Sequence, residues 1–188
     1  MKTLLRHALL PLAALTLATA AVAAPPLPAT LAFDAFYIGT AQVVEVIDPG
    51  VPLLRFESNA VGGGSFDLAS YFSTDVIDMS TGAGTGISRF VATNGDELHG
   101  SFSVQVVPTS VANIVDLIGQ ASFLGGTGLF SGASGSALLS GTGLFTSPTL
   151  ANATFRYNGS ISLVPEPASW LLLSAGAVAL VVRARRRS

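Results

Sequence analysis

Cysteine is absent from this 188-residue chain, and charged residues are scarce. Without cysteine the protein has no disulfide scaffold, no thiolate metal site and no cysteine nucleophile. Only 11% of the residues are charged, against about 25% in an ordinary soluble domain, and the mean hydropathy is +0.60. The 20 glycines follow no Gly-X-Y period, which excludes a collagen-like chain. The length fits one domain of ordinary size.

Basic residues are particularly few in the central part of the chain, residues 24–164. Ten acidic residues there outnumber three basic ones, Arg55, Arg89 and Arg156, which gives a net charge of −7 without a single lysine. A surface of this sign repels phosphate groups, so the attraction that drives nucleic-acid binding is missing. We therefore expect no nucleic-acid partner and no docking of this part on anionic lipid.

Side chains that perform catalysis or bind metals are also scarce. The central part contains one histidine, His99, and no Gly-x-Ser-x-Gly elbow, so a serine triad and a zinc site lack their usual components. The remaining candidates for a calcium site or a glycosidase pair are Asp75, Asp78, Asp96 and Glu97. We expect these acids to be solvated turn residues and His99 to be a solvated hairpin residue. No catalytic residue, metal or cofactor is predicted.

The N-terminus has the pattern of a secretory signal peptide, residues 1–23. Lys2 and Arg6 form a positive region, and Leu9–Leu17 forms a short apolar region. Small residues follow, and Ala21 and Ala23 fit the Ala-x-Ala rule for cleavage by signal peptidase before residue 24. The alternative is a retained membrane anchor, for which the apolar region is short.

The C-terminus combines three features in a fixed order over residues 164–188. Pro165, Glu166 and Pro167 precede an apolar stretch, Ala168–Val182, and a basic end formed by Arg183, Arg185, Arg186 and Arg187. A helix of this stretch is about 22 Å long, short against a membrane core of about 30 Å, although flanking residues can extend it. The positive-inside rule places the arginines in the cytoplasm and the preceding domain outside. A buried helix of a globular core is the alternative, but the arginine cluster argues against it.

This order of features resembles the PEP-CTERM sorting signal of exported proteins of Gram-negative bacteria. The resemblance implies that Pro165, Glu166 and Pro167 are recognised by an exosortase, a membrane enzyme that removes the tail and passes the protein to the cell surface. Two prolines keep such a segment extended and free of helical hydrogen bonds, as a processing enzyme requires. The family is associated with bacteria that produce exopolysaccharide and biofilm, so exopolysaccharide is a further expected partner.

The segment between the two signals, residues 24–163, has the alternating pattern of β-strands. Thr154–Leu163 and Ser101–Val106 alternate apolar and polar residues with period two, as half-buried antiparallel strands do. Six further runs are rich in β-branched, aromatic and small residues: 31–47, 51–57, 65–79, 87–93, 111–123 and 136–145. Residues 111–120 also suit a helix, although a strand is favoured. Turns are predicted at Asp48-Pro49-Gly50 and Asn94-Gly95. About eight strands predict an all-β, antiparallel barrel, flanked by a signal helix and a transmembrane helix.

A glycine-rich stretch supports the barrel prediction. Gly125, Gly126, Gly128, Gly132 and Gly135 alternate with small and aromatic residues, and glycines of this kind form bulges and tight corners. The stretch resembles an element of dirigent proteins and of the related allene oxide cyclase barrel. The resemblance implies an eight-stranded antiparallel barrel with a lumen, and it carries no catalytic residues to this chain.

Three functions remain open for the barrel. The first, and the one we favour, is a non-enzymatic surface or matrix protein with a structural or adhesive role. The second is a binding module that holds a small apolar ligand in its lumen, and the third is a dirigent-like or cyclase-like enzyme. A lumen packed solid by apolar side chains would argue against the second and third. An open lumen containing Arg55, Arg89, Arg156 or several acids would favour them.

Overall fold

A computed structural model describes residues 29–48 and 50–164, together with the isolated residues 175, 176 and 183. The strands are β1 (Ala29–Asp48), β2 (Leu53–Gly64), β3 (Leu68–Asp78), β4 (Ala83–Ala92), β5 (Glu97–Pro108), β6 (Ile114–Gly126), β7 (Ser134–Ser147) and β8 (Leu150–Leu163). Two single-turn 3₁₀ helices, Ser65–Asp67 and Gly128–Phe130, lie in connections between strands.

The eight strands form a closed antiparallel barrel in which each strand pairs with the next along the chain. Closure comes from the pairing of β1 with β8, which runs from Ala29 opposite Leu163 to Gln42 opposite Leu150. The predicted all-β antiparallel barrel is confirmed. The predicted signal helix and transmembrane helix lie outside the described residues, apart from the three isolated positions.

The period-two pattern of the sequence sets the inner face of the barrel. On β5, Phe102, Val104 and Val106 are buried, as the alternation predicts, and the ambiguous segment 111–120 contributes to strand β6. Several strand boundaries differ from the prediction. For example, β2 continues beyond residue 57 to Gly64. Apart from Val61, small residues with weak strand propensity form this extension. Pairing with β1, and with β3 as far as Val61, holds them in the sheet.

Side-chain hydrogen bonds to the backbone stabilise the two predicted turns. The Asp48 carboxylate accepts a hydrogen bond of 2.8 Å from the backbone N–H of Gly50. In the hairpin between β4 and β5, Gly95 has a φ of 90°, and the Asn94 side-chain oxygen accepts a hydrogen bond of 2.9 Å from the Asp96 N–H. Short polar side chains that bind the nearby backbone in this way stabilise tight turns.

The up-and-down order of strands divides the connections between two ends. Connections after β2, β4 and β6 lie at one end, together with the start of β1 and the last residue of β8. Connections after β1, β3, β5 and β7 lie at the other end. Both chain exits from the barrel are therefore at the same end, and the C-terminal segment continues from there.

The barrel has its own hydrophobic core, and its strands pair with one another. Each of the eight strands has both of its hydrogen-bonded neighbours within residues 29–163, and the buried apolar cluster lies within the same range. A segment with a closed sheet and a complete core has what it needs to fold independently. Residues 24–163 are thus a suitable fragment for experiments in solution.

Candidate functional site in the barrel lumen

One end of the lumen is filled by aromatic side chains. Phe90 lies at the centre of this packing, with ring centroids 5.2 Å from Tyr71 and 5.0 Å from Tyr157. Phe33 packs against Phe123 at 4.5 Å. Edge-on and tilted rings at these separations are the favourable geometries for aromatic pairs. This packed end is the one at which both chain exits lie.

The opposite half of the lumen contains a cavity that opens at the other end. The cavity has about 600 Å³ of atom-free space including its mouth, and the centre of a water molecule can reach about 60 Å³ of it. One water needs about 10–15 Å³ measured in this way, so the cavity has room for several waters or one small organic molecule. Apolar side chains dominate its lining, among them Phe56, Phe102, Leu117, Phe145 and Phe155.

Asp75 is the acidic residue of this cavity. It lies on the inner face of β3 between Ser73 and Ile77, and only 7% of its surface is exposed. The Ser73 hydroxyl donates a hydrogen bond of 3.3 Å to its carboxylate, the one hydrogen bond to this side chain within the described barrel. Burial raises the pKa of Asp75 to about 6, and the Ser73 hydrogen bond partly opposes that rise.

The position of Asp75 corrects the expectation drawn from the sequence. We expected Asp75, Asp78, Asp96 and Glu97 to be solvated turn residues, and for Asp75 this was wrong. The period of β3 places it on the same face as Tyr71 and Ile77, which are buried. That alternation was the signal in the sequence that could have identified it.

The other three acids lie outside the lumen. Asp78 ends β3 and accepts hydrogen bonds from the Ser80 backbone and hydroxyl, which hold the pKa of Asp78 below its usual range. Asp96 lies in the hairpin before β5. Glu97 begins β5, and hydrogen bonds from His99 and Arg89 lower its pKa.

Buried tyrosines form the floor between the cavity and the packed end. The Tyr157 hydroxyl donates a hydrogen bond of 2.9 Å to the Tyr71 hydroxyl, and Tyr71 lines the cavity. Burial raises the pKa of Tyr71 to about 12 and also raises the pKa values of Tyr157 and Tyr37, so all three are neutral at physiological pH. Within the described barrel, the hydroxyls of Tyr37 and Ser88 have no hydrogen-bond partner.

The three arginines of the barrel point outward. Arg55 pairs with Glu45 at 2.6 Å, and Arg156 lies 3.4 Å from Asp34. Arg89 pairs with Glu97 at 2.7 Å and covers the Phe72 ring at 4.5 Å from its centroid. None of the three lines the cavity, so one of the features that would favour a ligand site or an enzyme is missing from the described lumen.

His99 also lies on the outer wall, on β5. Its ring is 2.9 Å from the Glu97 carboxylate, and its side chain is 48% exposed. The expectation of a solvated histidine is confirmed. In the part of the chain that the structure describes, no group of three or more histidine and acidic residues is arranged to hold a metal ion.

The glycine-rich stretch closes the packed end of the barrel. Positive φ values occur at Gly125, Gly128, Gly132 and Gly135, and Gly126 lies so close to the Glu97 carbonyl that a side chain would collide with it. Within the same loop, Phe130 is fully buried and packs edge-on against Phe66, 6.0 Å between ring centroids. The loop thus plugs the end of the lumen opposite the cavity mouth.

Most of the predicted processing residues lie outside the described residues. These are Ala21 and Ala23 of the signal cleavage site, Pro165, Glu166 and Pro167 of the sorting motif, and Arg185, Arg186 and Arg187 of the tail. Arg183 is described and is exposed. Among the residues that the structure does describe, no helix combines the length and the apolar character needed to cross a membrane.

Comparison with known proteins identifies one element of the chain. Residues 163–187 match the family model of the PEP-CTERM protein-sorting motif. No curated protein and no solved structure matches the chain. The matched range contains Pro165, Glu166, Pro167 and the arginine-rich end. The chain therefore carries a PEP-CTERM sorting motif, which indicates an exported protein that an exosortase sorts to the cell surface through a membrane-anchored stage.

Proposed function

We propose that this protein is an exported, surface-sorted barrel that binds a small apolar ligand in its lumen. The observation that carries the proposal is the cavity of the open end, with about 60 Å³ accessible to water centres and an apolar lining. Ligand sites are concave and mostly apolar, with a few polar groups that fix orientation. A barrel with a purely structural role needs no such space, since its lumen can be filled as the other end is.

We favour binding over catalysis for the same cavity. Asp75 is its only acidic residue and no histidine or basic residue lines it within the described barrel. General acid–base chemistry usually needs two groups with different pKa values, and Tyr71, the other ionisable group of the lining, has its pKa raised to about 12. Binding requires only the cavity and its apolar lining.

Binding can be tested with 1-hexanol and the isotopically labelled fragment 24–163. We expect NMR shift changes at cavity residues such as Leu117 and Phe145, with little change at the packed end. Ala153→Leu places a larger side chain in the cavity and should weaken binding at least about tenfold. Asn152→Leu is the matched control because Asn152 is the exposed neighbour on the same strand. Absence of saturable shifts in the wild-type cavity would refute the proposal.

The proposal for sorting is that an exosortase cleaves the chain beyond the Pro165-Glu166-Pro167 element. The match over residues 163–187 supports it. The chain should be expressed in hosts with and without the sorting enzyme, and the C-terminal mass measured in each. An intact tail beyond Pro167 in the competent host would contradict this part of the proposal.

A structural or adhesive role in an exopolysaccharide or biofilm matrix is the second candidate. It is supported by an exposed apolar pair on the outer wall. Ile38 and Val61 face each other across β1 and β2, with 57% and 69% of their surfaces exposed. Replacing both residues by serine should reduce the retention of fragment 24–163 on exopolysaccharide purified from the cells that make this protein. Unchanged retention would remove this support.

A further inference from the structure

We propose that the lumen ligand is an apolar molecule with a protonated amine, whose ammonium group pairs with the Asp75 carboxylate inside the cavity. This inference rests on the proposed ligand-binding function and names the chemical class of the ligand. Its basis is the combination of an apolar cavity with a buried acidic group that has no cationic partner among residues 29–48 and 50–164.

The Asp75 carboxylate is poorly compensated by the protein. Its one hydrogen-bond donor in the described barrel is the Ser73 hydroxyl, and no ion pair of the described residues includes it. Burial of a charged group without a partner is costly, and such groups are normally paired. A ligand cation at this point would offset that cost, whereas an apolar side chain at position 75 would avoid it altogether. The presence of an acidic residue at position 75 is therefore better explained by a positively charged ligand than by packing.

The surroundings of the carboxylate also favour a cation. Tyr71, Phe56, Phe102 and Phe155 line the same cavity, and aromatic faces attract ammonium groups. The barrel as a whole carries a net charge of −7, which raises the local concentration of cations. An anionic ligand would face both the carboxylate and this overall charge.

The titratable groups that face Asp75 do not supply a competing charge. Tyr71 and Tyr157 are the ionisable groups that interact with Asp75, and burial raises the pKa of both phenols far above neutrality. Asp75 itself is mostly ionised above pH 6. At pH 7.5 the cavity therefore presents one negative charge to a ligand.

The test compares three six-carbon probes that differ in their head group: n-hexylamine, 1-hexanol and hexanoate. Binding to fragment 24–163 is measured by NMR titration at pH 7.5. We expect n-hexylamine to bind at least about tenfold more tightly than 1-hexanol, since hydrogen bonds to charged groups are the stronger ones, and hexanoate to bind most weakly. Asp75→Asn should abolish the preference for the amine while keeping the affinity for 1-hexanol. Asp116→Asn is the matched control because it removes the same charge from an exposed site.

A pH series provides a test that needs no variant. An alkylammonium group keeps its charge at pH 5, as lysine does, whereas Asp75 becomes protonated. The amine preference of the wild type should therefore fall between pH 7.5 and pH 5. Equal affinities for the amine and the alcohol at pH 7.5, or an unchanged preference in Asp75→Asn, would overturn this inference while leaving ligand binding intact. No binding of any probe would overturn the proposed function as well.

Discussion

The buried carboxyl of Asp75 should make the barrel less stable as the pH rises from 4 to 7. Burial raises its folded-state pKa to about 6, whereas the unfolded chain exposes it to water. Between the ordinary pKa of 3.8 and the folded-state pKa of about 6, the folded state binds more protons than the unfolded state does. The free energy of unfolding therefore falls as the pH rises through this window. The contribution of this group is fully present below about pH 4, and it is lost as the pH rises through about 6.

The size of the effect follows from the pKa. The rise from 3.8 to about 6, at about 1.36 kcal/mol for each pKa unit, corresponds to ~3 kcal/mol. Asp75 is only 7% exposed, so solvent screening reduces this figure little. Asp75→Asn has nearly the same shape and no charge, and should therefore stabilise the fragment by up to ~3 kcal/mol at pH 7.5. At pH 4 the gain should almost vanish. The melting temperature at pH 7.5 should rise by roughly 10 °C.

The assay is urea unfolding of fragment 24–163, followed by circular dichroism at pH values from 4 to 8. Asp116→Asn again serves as the control, because this acid is exposed on the outer wall of β6, and its unfolding curve should track that of the wild type. An Asp75→Asn variant that is no more stable than the wild type at pH 7.5 would contradict this prediction. A stability difference that did not depend on pH would also refute it.

Three other outcomes are expected. Glu166→Ala, within the matched sorting motif, should leave the tail uncleaved in a competent host, as measured by mass spectrometry of the membrane fraction. Gly128→Ala should lower the free energy of unfolding in urea by about 1–3 kcal/mol, because Gly128 has a φ of 52°. Gly63→Ala is the control and should leave the free energy of unfolding nearly unchanged, because a side chain there meets open space. Phe90→Ala, at the packed end with 0% exposure, should cost about 3–5 kcal/mol. The exposed Ile87 on the same strand should tolerate alanine within about 0.5 kcal/mol.

Each of these three predictions has a result that would contradict it. Normal processing of Glu166→Ala would show that the glutamate is dispensable for recognition. Equal costs at Gly128 and Gly63 would show that backbone conformation does not limit the loop. A small cost at Phe90 would show that the aromatic end is loosely packed, and the division of the lumen into a filled half and an open half would then fail.

The candidate site was only partly predictable from sequence. The alternation of buried Ser73, Asp75 and Ile77 with half-buried neighbours assigns Asp75 to the inner face once β3 is recognised as a strand of a barrel. That no arginine of the described barrel pairs with it could not be predicted in the same way, because the three barrel arginines belong to β2, β4 and β8. Whether Arg55, Arg89 or Arg156 reaches the cavity depends on the register of those strands, and a shift of one residue would move each of them to the other face.

Local patterns determined much of this protein. The period of two along the strands, the Asn94-Gly95 hairpin and the Pro-Glu-Pro motif with its apolar and basic continuation act over a few residues, so the eight-stranded barrel and the sorting motif could be inferred from sequence. The division of the lumen was decided only in the tertiary structure. It depends on which inward side chains of eight strands meet at each level: Phe90, Tyr71 and Tyr157 fill one half, and smaller residues such as Ala41 and Ala153 leave the other half open beside Asp75. Closure of β1 onto β8 brings together residues more than a hundred positions apart, and no local pattern encodes those contacts.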